Sequence, residues 1–191
     1  ALLENNALIT GNVTNSGTLT SNGANIVGDI DNTGSYVITD GDNTNDITGA
    51  TGTVTIQGNT TNTGVINQDS ISIANGATFV ASTMDDIATA NGIDNAGTLE
   101  MQSGTNTNNI SGNTGALKVT GDVTNDSGVS INQGTIEIST LGTLTAYASD
   151  LTTVDGISNT GALQLNDGTN ANAITGTGSL TIIGDVTNTG A

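Results

Sequence analysis

The chain repeats itself at an interval of 63 to 64 residues. Three copies of one phrase read DNTGSYVITDGDNTNDITG from Asp31, DNAGTLEMQSGTNTNNISG from Asp94 and SNTGALQLNDGTNANAITG from Ser158. A second phrase, ITGNVTNSG from Ile9, recurs in similar form as IIGDVTNTG from Ile182. An internal repeat of this length is typical of a protein built from similar units that stack on one another.

A shorter phrase recurs within each unit: an apolar residue, any residue, a second apolar residue and then a turn. Its copies begin at Tyr36, Val54, Ile71, Leu99, Leu117, Ile136, Leu163 and Leu180, with steps of 18, 17, 28, 18, 19, 27 and 17 residues. Alternation with a period of two predicts a β-strand with one buried face. Turn signals such as Asp40-Gly41 follow the strands.

Two all-β architectures use such strands. An antiparallel meander does not need similar residues at similar positions every 17–19 residues. A β-solenoid does, because equivalent positions of successive coils stack about 4.8 Å apart. We therefore predict one parallel β-solenoid over residues 1–191, a right-handed β-helix with coils of about 17–19 residues and a longer coil every third turn. Its units span approximately 31–93, 94–157 and a partial 158–191, after a shortened unit over 1–30.

Aliphatic side chains are expected to stack in the core of this solenoid. The main predicted stack contains the second apolar residue of each phrase: Ile38, Ile56, Ile73, Met101, Val119, Ile138, Leu165 and Ile182. Two smaller predicted sets are Ile47, Ile110 and Ile174, and Ile93 and Ile157. Asparagines in equivalent places are predicted to cap turn amides within each coil: Asn43 and Asn45, Asn106 and Asn108, Asn170 and Asn172.

The composition excludes several classes of function. The formal net charge is -17, with one Lys or Arg in total, no His and no Cys. Nucleic-acid binding is not expected, because phosphate contacts need Lys or Arg. The lack of Cys excludes disulfides and thiolate metal sites, and the lack of His removes the commonest general base. No apolar run approaches the eighteen or so residues of a membrane span, so none is predicted in this segment.

The acidic loop DGDNTND contains Asp40, Asp42 and Asp46, a spacing that suits calcium, a hard ion with oxygen ligands. The loop lacks the Gly and the late Glu of an EF-hand, and the matching loops SGTNTNN and DGTNANA do not keep its acids. A solvated turn is therefore the favoured interpretation, and a calcium site is the alternative. No other cofactor is expected.

The two long coils are predicted to carry their extra residues in loops on one side. Candidate binding residues there are Phe79, Asp85, Asp86, Tyr147 and Asp150. Loops on a rigid scaffold commonly carry recognition. Paired carboxylates can also hydrolyse glycosides, but no Arg or His and one large aromatic residue per loop argue against catalysis.

The phrases ITGTGSLTIIGDVTNTG, ISGNTGALKVTGDVTNDSG and DNTGSYVITDG resemble the repetitive passenger regions of bacterial autotransporters and filamentous-haemagglutinin-like surface adhesins. The resemblance covers nearly the whole chain and rests on composition and on the spacing of the repeated phrases, so no functional residue is transferred. It implies a right-handed β-helix, secretion to the extracellular space or cell surface, and a role in adhesion, aggregation or surface coating.

The sequence thus favours a structural or adhesive segment of a cell-surface fibre, without enzymatic activity. A binding module that recognises glycan or like copies through the long-coil loops, with or without calcium, is the alternative, and a polysaccharide-degrading enzyme is a remote one. Expected partners are like copies or further repeats end to end, or a glycan or protein of a host or bacterial surface. The chain begins and stops inside its repeat, so the natural protein is expected to be longer or its ends to stack on neighbouring copies.

Overall fold

The structure is a computed structural model that describes residues 2–5, 7–22 and 25–190. These residues form an all-β, parallel β-solenoid of about ten turns, which confirms the predicted fold class. The three-residue segments Met84–Asp86 and Ala148–Asp150 are 3₁₀ turns. Within the described ranges, no helix is long and apolar enough to cross a membrane.

Short strands alternate with tight turns along the chain. The first ten strands are β1 (Leu2–Asn5), β2 (Ile9–Thr10), β3 (Val13–Asn15), β4 (Thr18–Ser21), β5 (Ile26–Val27), β6 (Ile30–Asn32), β7 (Ser35–Ile38), β8 (Ile47–Thr48), β9 (Thr53–Ile56) and β10 (Asn59–Asn62). The next ten are β11 (Ile66–Gln68), β12 (Ser70–Ile73), β13 (Thr78–Ala81), β14 (Ile87–Thr89), β15 (Ile93–Asn95), β16 (Thr98–Met101), β17 (Gly104–Asn106), β18 (Ile110–Ser111), β19 (Ala116–Val119) and β20 (Asp122–Asn125). The last ten are β21 (Ile131–Gln133), β22 (Thr135–Ile138), β23 (Thr143–Tyr147), β24 (Leu151–Thr153), β25 (Ile157–Asn159), β26 (Ala162–Asn166), β27 (Gly168–Asn170), β28 (Ile174–Thr175), β29 (Ser179–Ile182) and β30 (Val186–Asn188).

Parallel pairing arranges the strands on three sides of a central core. The first side is a nine-stranded sheet, β1-β4-β7-β9-β12-β15-β18-β21-β24. The second side is a seven-stranded sheet, β10-β13-β16-β19-β22-β25-β28. The third side carries two five-stranded sheets, β3-β6-β8-β11-β14 and β17-β20-β23-β26-β29. The pairs β2-β5 and β27-β30 complete the two ends.

The sequence repeat and the coil have different lengths. The unit that starts at Ile93 contains ten strands, β15 to β24, which pass around the three sides three times and then occupy the first side once more. The next unit therefore begins on the second side, at Ile157. Tyr36, Leu99 and Leu163 hold equivalent positions in successive units and lie on the first, second and third sides. Each unit is thus turned by one side relative to the unit before it.

Because each unit is rotated by one side, the predicted strand neighbours at the long steps are wrong. The short steps are confirmed, because Val54 pairs with both Tyr36 and Ile71. The prediction that Leu99 follows Ile71 in the ladder is wrong. Ile71 pairs with Ile93 on the first side, and Leu99 belongs to the second side.

The predicted neighbour at the second long step is wrong in the same way, since Ile136 pairs with Ile157 and not with Leu163. The cause is an additional strand in each long step, β13 in one and β23 in the other. The extra residues were predicted to form loops on one side, but much of their length pairs within the sheets. A short step therefore returns the chain to the same side one coil later, whereas a long step completes one coil and ends on the next side.

The aliphatic set predicted as one stack forms three. The ladders join Ile38, Ile56 and Ile73 on the first side, Met101, Val119 and Ile138 on the second, and Leu165 and Ile182 on the third. The smaller sets are also divided among the sides, because Ile47, Ile110 and Ile174 lie in β8, β18 and β28, and Ile93 and Ile157 lie in β15 and β25. All of these side chains are buried except Ile174 and Ile182.

Asparagine side chains satisfy backbone groups at the corners. Asn106 Oδ1 accepts a hydrogen bond from the Asn108 amide at 3.1 Å, and Asn106 Nδ2 donates to Asn108 O at 3.0 Å. Asn170 and Asn172 repeat this arrangement, so the predicted capping of turn amides is confirmed there. Asn106 Nδ2 also donates to Asn125 Oδ1 of the next coil at 2.7 Å.

Candidate functional site

The predicted calcium ligands lie where the chain leaves β7 and approaches β8. Asp40, Asp42 and Asp46 are all exposed. Asp46 Oδ1 accepts a hydrogen bond from the backbone amide of Val65 in the next coil at 3.0 Å. Over the part of the chain that the structure describes, no three acidic side chains are grouped so that they could hold a metal ion. The three carboxylates therefore form no shared ligand set in this structure.

The aromatic candidates lie in different environments. Phe79 is fully buried in β13, where it pairs with Thr60 below and Leu99 above, so it belongs to the core and not to a recognition loop. Tyr147 ends β23 and is half-buried, alternating along the strand with the buried Ala146. The structure does not bring the two rings together, because β13 belongs to the second side and β23 to the third.

The acidic candidates of the long coils lie in the 3₁₀ turns. Asp85 Oδ1 accepts a hydrogen bond from the Thr105 amide at 2.8 Å, and Asp150 Oδ2 accepts one from the Gly128 amide at 2.9 Å. Asp86 is half-buried in the first of these turns. Carboxylates that accept backbone amides from a neighbouring coil act as structural caps, since each satisfies a donor that the strand ladder leaves open.

Sequence reasoning missed an uncharged surface on the first side. The strands β4, β7, β9 and β12 are consecutive neighbours there. Their half-buried, alternate residues form two rows of small side chains: Thr18, Thr20, Ser35, Val37, Thr53, Thr55, Ser70 and Ser72. Only the strand register separates these rows from the charged outer residues of the second side, such as Glu100 and Glu137. In a chain of net charge -17, this surface is a candidate contact area.

The outer row of the second side contains the sole Lys or Arg of the sequence, Lys118. Its strand neighbours in register are Glu100 on one side and Glu137 on the other. Opposite charges on directly adjacent strands attract one another. The cation is thus surrounded by acids of its own chain and forms no basic patch for an anionic partner.

A buried tyrosine adds one perturbed titratable group. Tyr36 is fully buried on β7, and its hydroxyl hydrogen-bonds to Ser21 Oγ at 2.9 Å. Burial raises the pKa of Tyr36 because the phenolate loses its hydration, and the hydrogen bond with Ser21 opposes this shift only in part. The group lies in the core and its hydroxyl bonds to Ser21, so its role is structural.

Comparison of the chain with protein-family models, with curated proteins and with solved structures found no match.

Proposed function

We propose that this chain is a structural and adhesive segment of a secreted bacterial cell-surface fibre or stalk and that it performs no catalysis. The observation that supports this best is the continuity of the ladders. Parallel pairs join successive coils from β1 to β30, on more than one side at most levels, so load applied along the axis is shared by the backbone hydrogen bonds of several sheets. Coils that contact only their neighbours suit an extended spacer.

The surface chemistry supports the same proposal. Eighteen acids against one cation keep rods of this kind apart laterally, because like charges repel. Each coil contacts only its neighbours, so the same repeat can be extended by further coils without a change of fold. The proposed partners are like copies or further repeats end to end, together with a glycan or protein of a host or bacterial surface.

Sedimentation and adhesion measurements test this proposal. We expect the purified chain to associate end to end as concentration rises, and beads coated with it to adhere to one another or to cells. Heat-denatured protein on identical beads is the matched control. A monodisperse monomer whose beads adhere no better than the control would contradict the proposal.

A binding module that acts through the long-coil turns is the second candidate. It is favoured by Tyr147, a half-buried aromatic residue placed directly before the 3₁₀ turn that contains Asp150. A glycan array with and without calcium separates the two functions, with Tyr147→Ala as the variant. Specific binding that this substitution removes would favour the module, and release of new reducing ends from a polysaccharide would favour the remote alternative of an enzyme.

A further inference from the structure

The tripeptide Ala-Asn-Gly occurs twice in the chain, at residues 74–76 and 90–92. At an Asn-Gly bond the asparagine side chain reacts most readily with its own backbone, because Gly has no Cβ to hinder the approach of its nitrogen. A third Asn-Gly bond, at residues 22 and 23, extends outside the described residues. Because the two tripeptides are identical, their local sequence predicts the same reactivity, and a difference between them has to come from the fold.

The first copy forms the tip of the turn between β12 and β13. Asn75 and Gly76 are both exposed, and nothing lies within 4 Å of a Cβ added at Gly76. The Ala77 amide donates to Ala74 O at 3.0 Å and closes the turn below the tip. Within the described residues, neither the Asn75 side chain nor the Gly76 amide makes a hydrogen bond. Both reacting groups are therefore open to water.

The base of the same turn is held by the neighbouring coils. The Ala74 amide donates to Ile56 O at 2.9 Å, and Ala77 O accepts a hydrogen bond from the Thr98 amide at 2.9 Å. These bonds connect the base to the coils below and above, whereas the two residues at the tip take no part in them. A chemical change at the tip therefore leaves the strand ladders intact.

The second copy lies directly before β15 and belongs to the contact between coils. Asn91 Nδ2 donates to Asp69 Oδ1 at 2.8 Å, and the Asn91 amide donates to Asp69 O at 2.7 Å. Gly92 is buried, and its carbonyl accepts a hydrogen bond from the Ile71 amide at 3.2 Å. A Cβ added at Gly92 would lie 2.5 Å from Asn109 O of the next coil. The side chain and the following backbone are thus held from both neighbouring coils.

We propose that Asn75 is a site of spontaneous deamidation and isomerisation in the folded protein, and that Asn91 is protected from it. The Gly76 nitrogen, after it loses its proton to solvent base, attacks Cγ of Asn75. A bond forms between these two atoms, and the side-chain nitrogen of Asn75 takes up a proton and leaves as ammonia. The product is a cyclic imide, and no oxidant or reductant takes part.

Water then opens the imide at one of its two carbonyl groups. Cleavage of the bond to Cγ gives an aspartate with a normal backbone. Cleavage of the bond to the main-chain carbonyl carbon gives an isoaspartate, in which the backbone continues through the former side chain. Either product adds one negative charge at the corner between the first and second sides, and isoaspartate also adds one methylene to the main chain.

Protection of Asn91 follows from the need for local opening. Its side chain has to leave Asp69, and Gly92 has to move away from the next coil, before the imide can form. A reaction that proceeds only from a locally open state is slowed by the small population of that state. The reaction at Asn75 needs no such opening, and it does not depend on the proposed fibre function.

Mass spectrometry of the aged whole chain tests the proposal. Cleavage before each Asp gives separate peptides, residues 69–84 and 86–93, with one Asn each and no Gln. Conversion of the amide to a carboxylate raises the peptide mass. Aspartate at position 75 creates a further cleavage point, whereas isoaspartate does not, so both products are measured.

After incubation at mildly alkaline pH, we expect Asn75 to react at least about tenfold faster than Asn91 in the folded chain. The chain unfolded in urea is the matched control, because both tripeptides are then free, and similar rates are expected there. Similar rates in the folded chain, or an Asn75 that reacts only in urea, would overturn the proposal.

The variant Gly76→Ala tests the attack by the backbone nitrogen. The added Cβ meets no other residue, so the fold is expected to persist, which circular dichroism checks. We expect the loss of most of the reaction at Asn75, because the Cβ hinders the approach of the nitrogen to Cγ, with the rate at Asn91 unchanged. An unchanged rate at Asn75 would show direct hydrolysis by water and overturn the proposed route.

Discussion

The side chains of Asn32 and Gln68 meet in the core although 36 residues and a whole coil separate them. Gln68 Nε2 also donates to the carbonyl of Gly49 at 3.0 Å, so this side chain connects three successive coils of the third side. Buried polar contacts of this kind fix the relative position of coils, because a shift of one residue would leave several amides without partners.

Removal of the Gln68 amide is expected to destabilise the solenoid. Gln68→Leu keeps most of the volume but leaves one Asn32 donor unpaired in the core, which costs about 1–3 kcal/mol. The exposed Gln57 is the matched control, and Gln57→Leu is expected to change the free energy of unfolding by about 0.5 kcal/mol or less. Urea unfolding followed by circular dichroism measures both. Equal effects of the two substitutions would contradict the role of the buried amide.

Substitution of Gly49 tests how closely the coils approach. Gly49→Ala strains a φ of +110° and also directs a Cβ into the carbonyl oxygen of Asn32. Gly76 has a φ of +83° with nothing within 4 Å of an added Cβ, so Gly76→Ala introduces only the backbone strain. That strain costs about 1–2 kcal/mol, and we expect Gly49→Ala to cost clearly more. The comparison of the two unfolding midpoints separates steric overlap from strain, and similar midpoints would show that the coils can move apart.

Core substitution is expected to matter far more than loss of an acid. Ile56 is fully buried between Ile38 and Ile73, so Ile56→Asp places a carboxyl group without partners in an aliphatic stack, at a cost of several kcal/mol. Asp42→Asn removes an exposed charge and is expected to change stability by about 0.5 kcal/mol or less. Thermal unfolding with and without calcium measures both. If Asp42→Asn were as damaging, and calcium raised only the wild-type midpoint, the DGDNTND loop would be a metal site.

The buried Tyr36 predicts a loss of stability at alkaline pH. Because its pKa in the folded chain is raised above the ordinary value of about 10, the unfolded chain releases the proton first as pH rises. The contribution of the neutral hydroxyl is therefore complete below about pH 10 and decreases above it. Thermal midpoints of wild type and Tyr36→Phe are expected to differ at pH 7, where the hydrogen bond to Ser21 favours wild type, and to converge at higher pH. A difference that stays constant to pH 11 would contradict this.

The strands and their parallel stacking could be predicted because the signal is local and repeated. Each phrase such as Tyr36-Val37-Ile38 alternates with the period of a strand, and steps of 17–19 residues match one coil. The Asn106 and Asn108 pair was predictable for the same reason, since the pair recurs as Asn170 and Asn172 and makes the same hydrogen bonds there. The first unit departs from this pattern, because Asn43 Oδ1 has no hydrogen-bond partner among the described residues.

The side on which each strand lies could not be predicted from those phrases alone. The strand that begins each long step has Ala as its second inward residue, Ala81 after Phe79 and Ala146 after Leu144. A small side chain gives a weak apolar signal, so both strands were interpreted as loops. The missing strand shifted every later neighbour by one side, and with it the predicted core stack.

The rotation of each unit by one side bears on how a gene of this kind can change in length. Every side accepts strands of every unit, so unequal recombination that deletes or duplicates one unit leaves a solenoid whose coils still fit together. Everything beyond the exchange is then rotated by a third of a turn about the axis. A patch such as the uncharged rows of the first side would face a new direction after one such event and return only after three. The number of units can therefore change without loss of the fold. A given surface keeps its direction only when the number of units before it changes by a multiple of three.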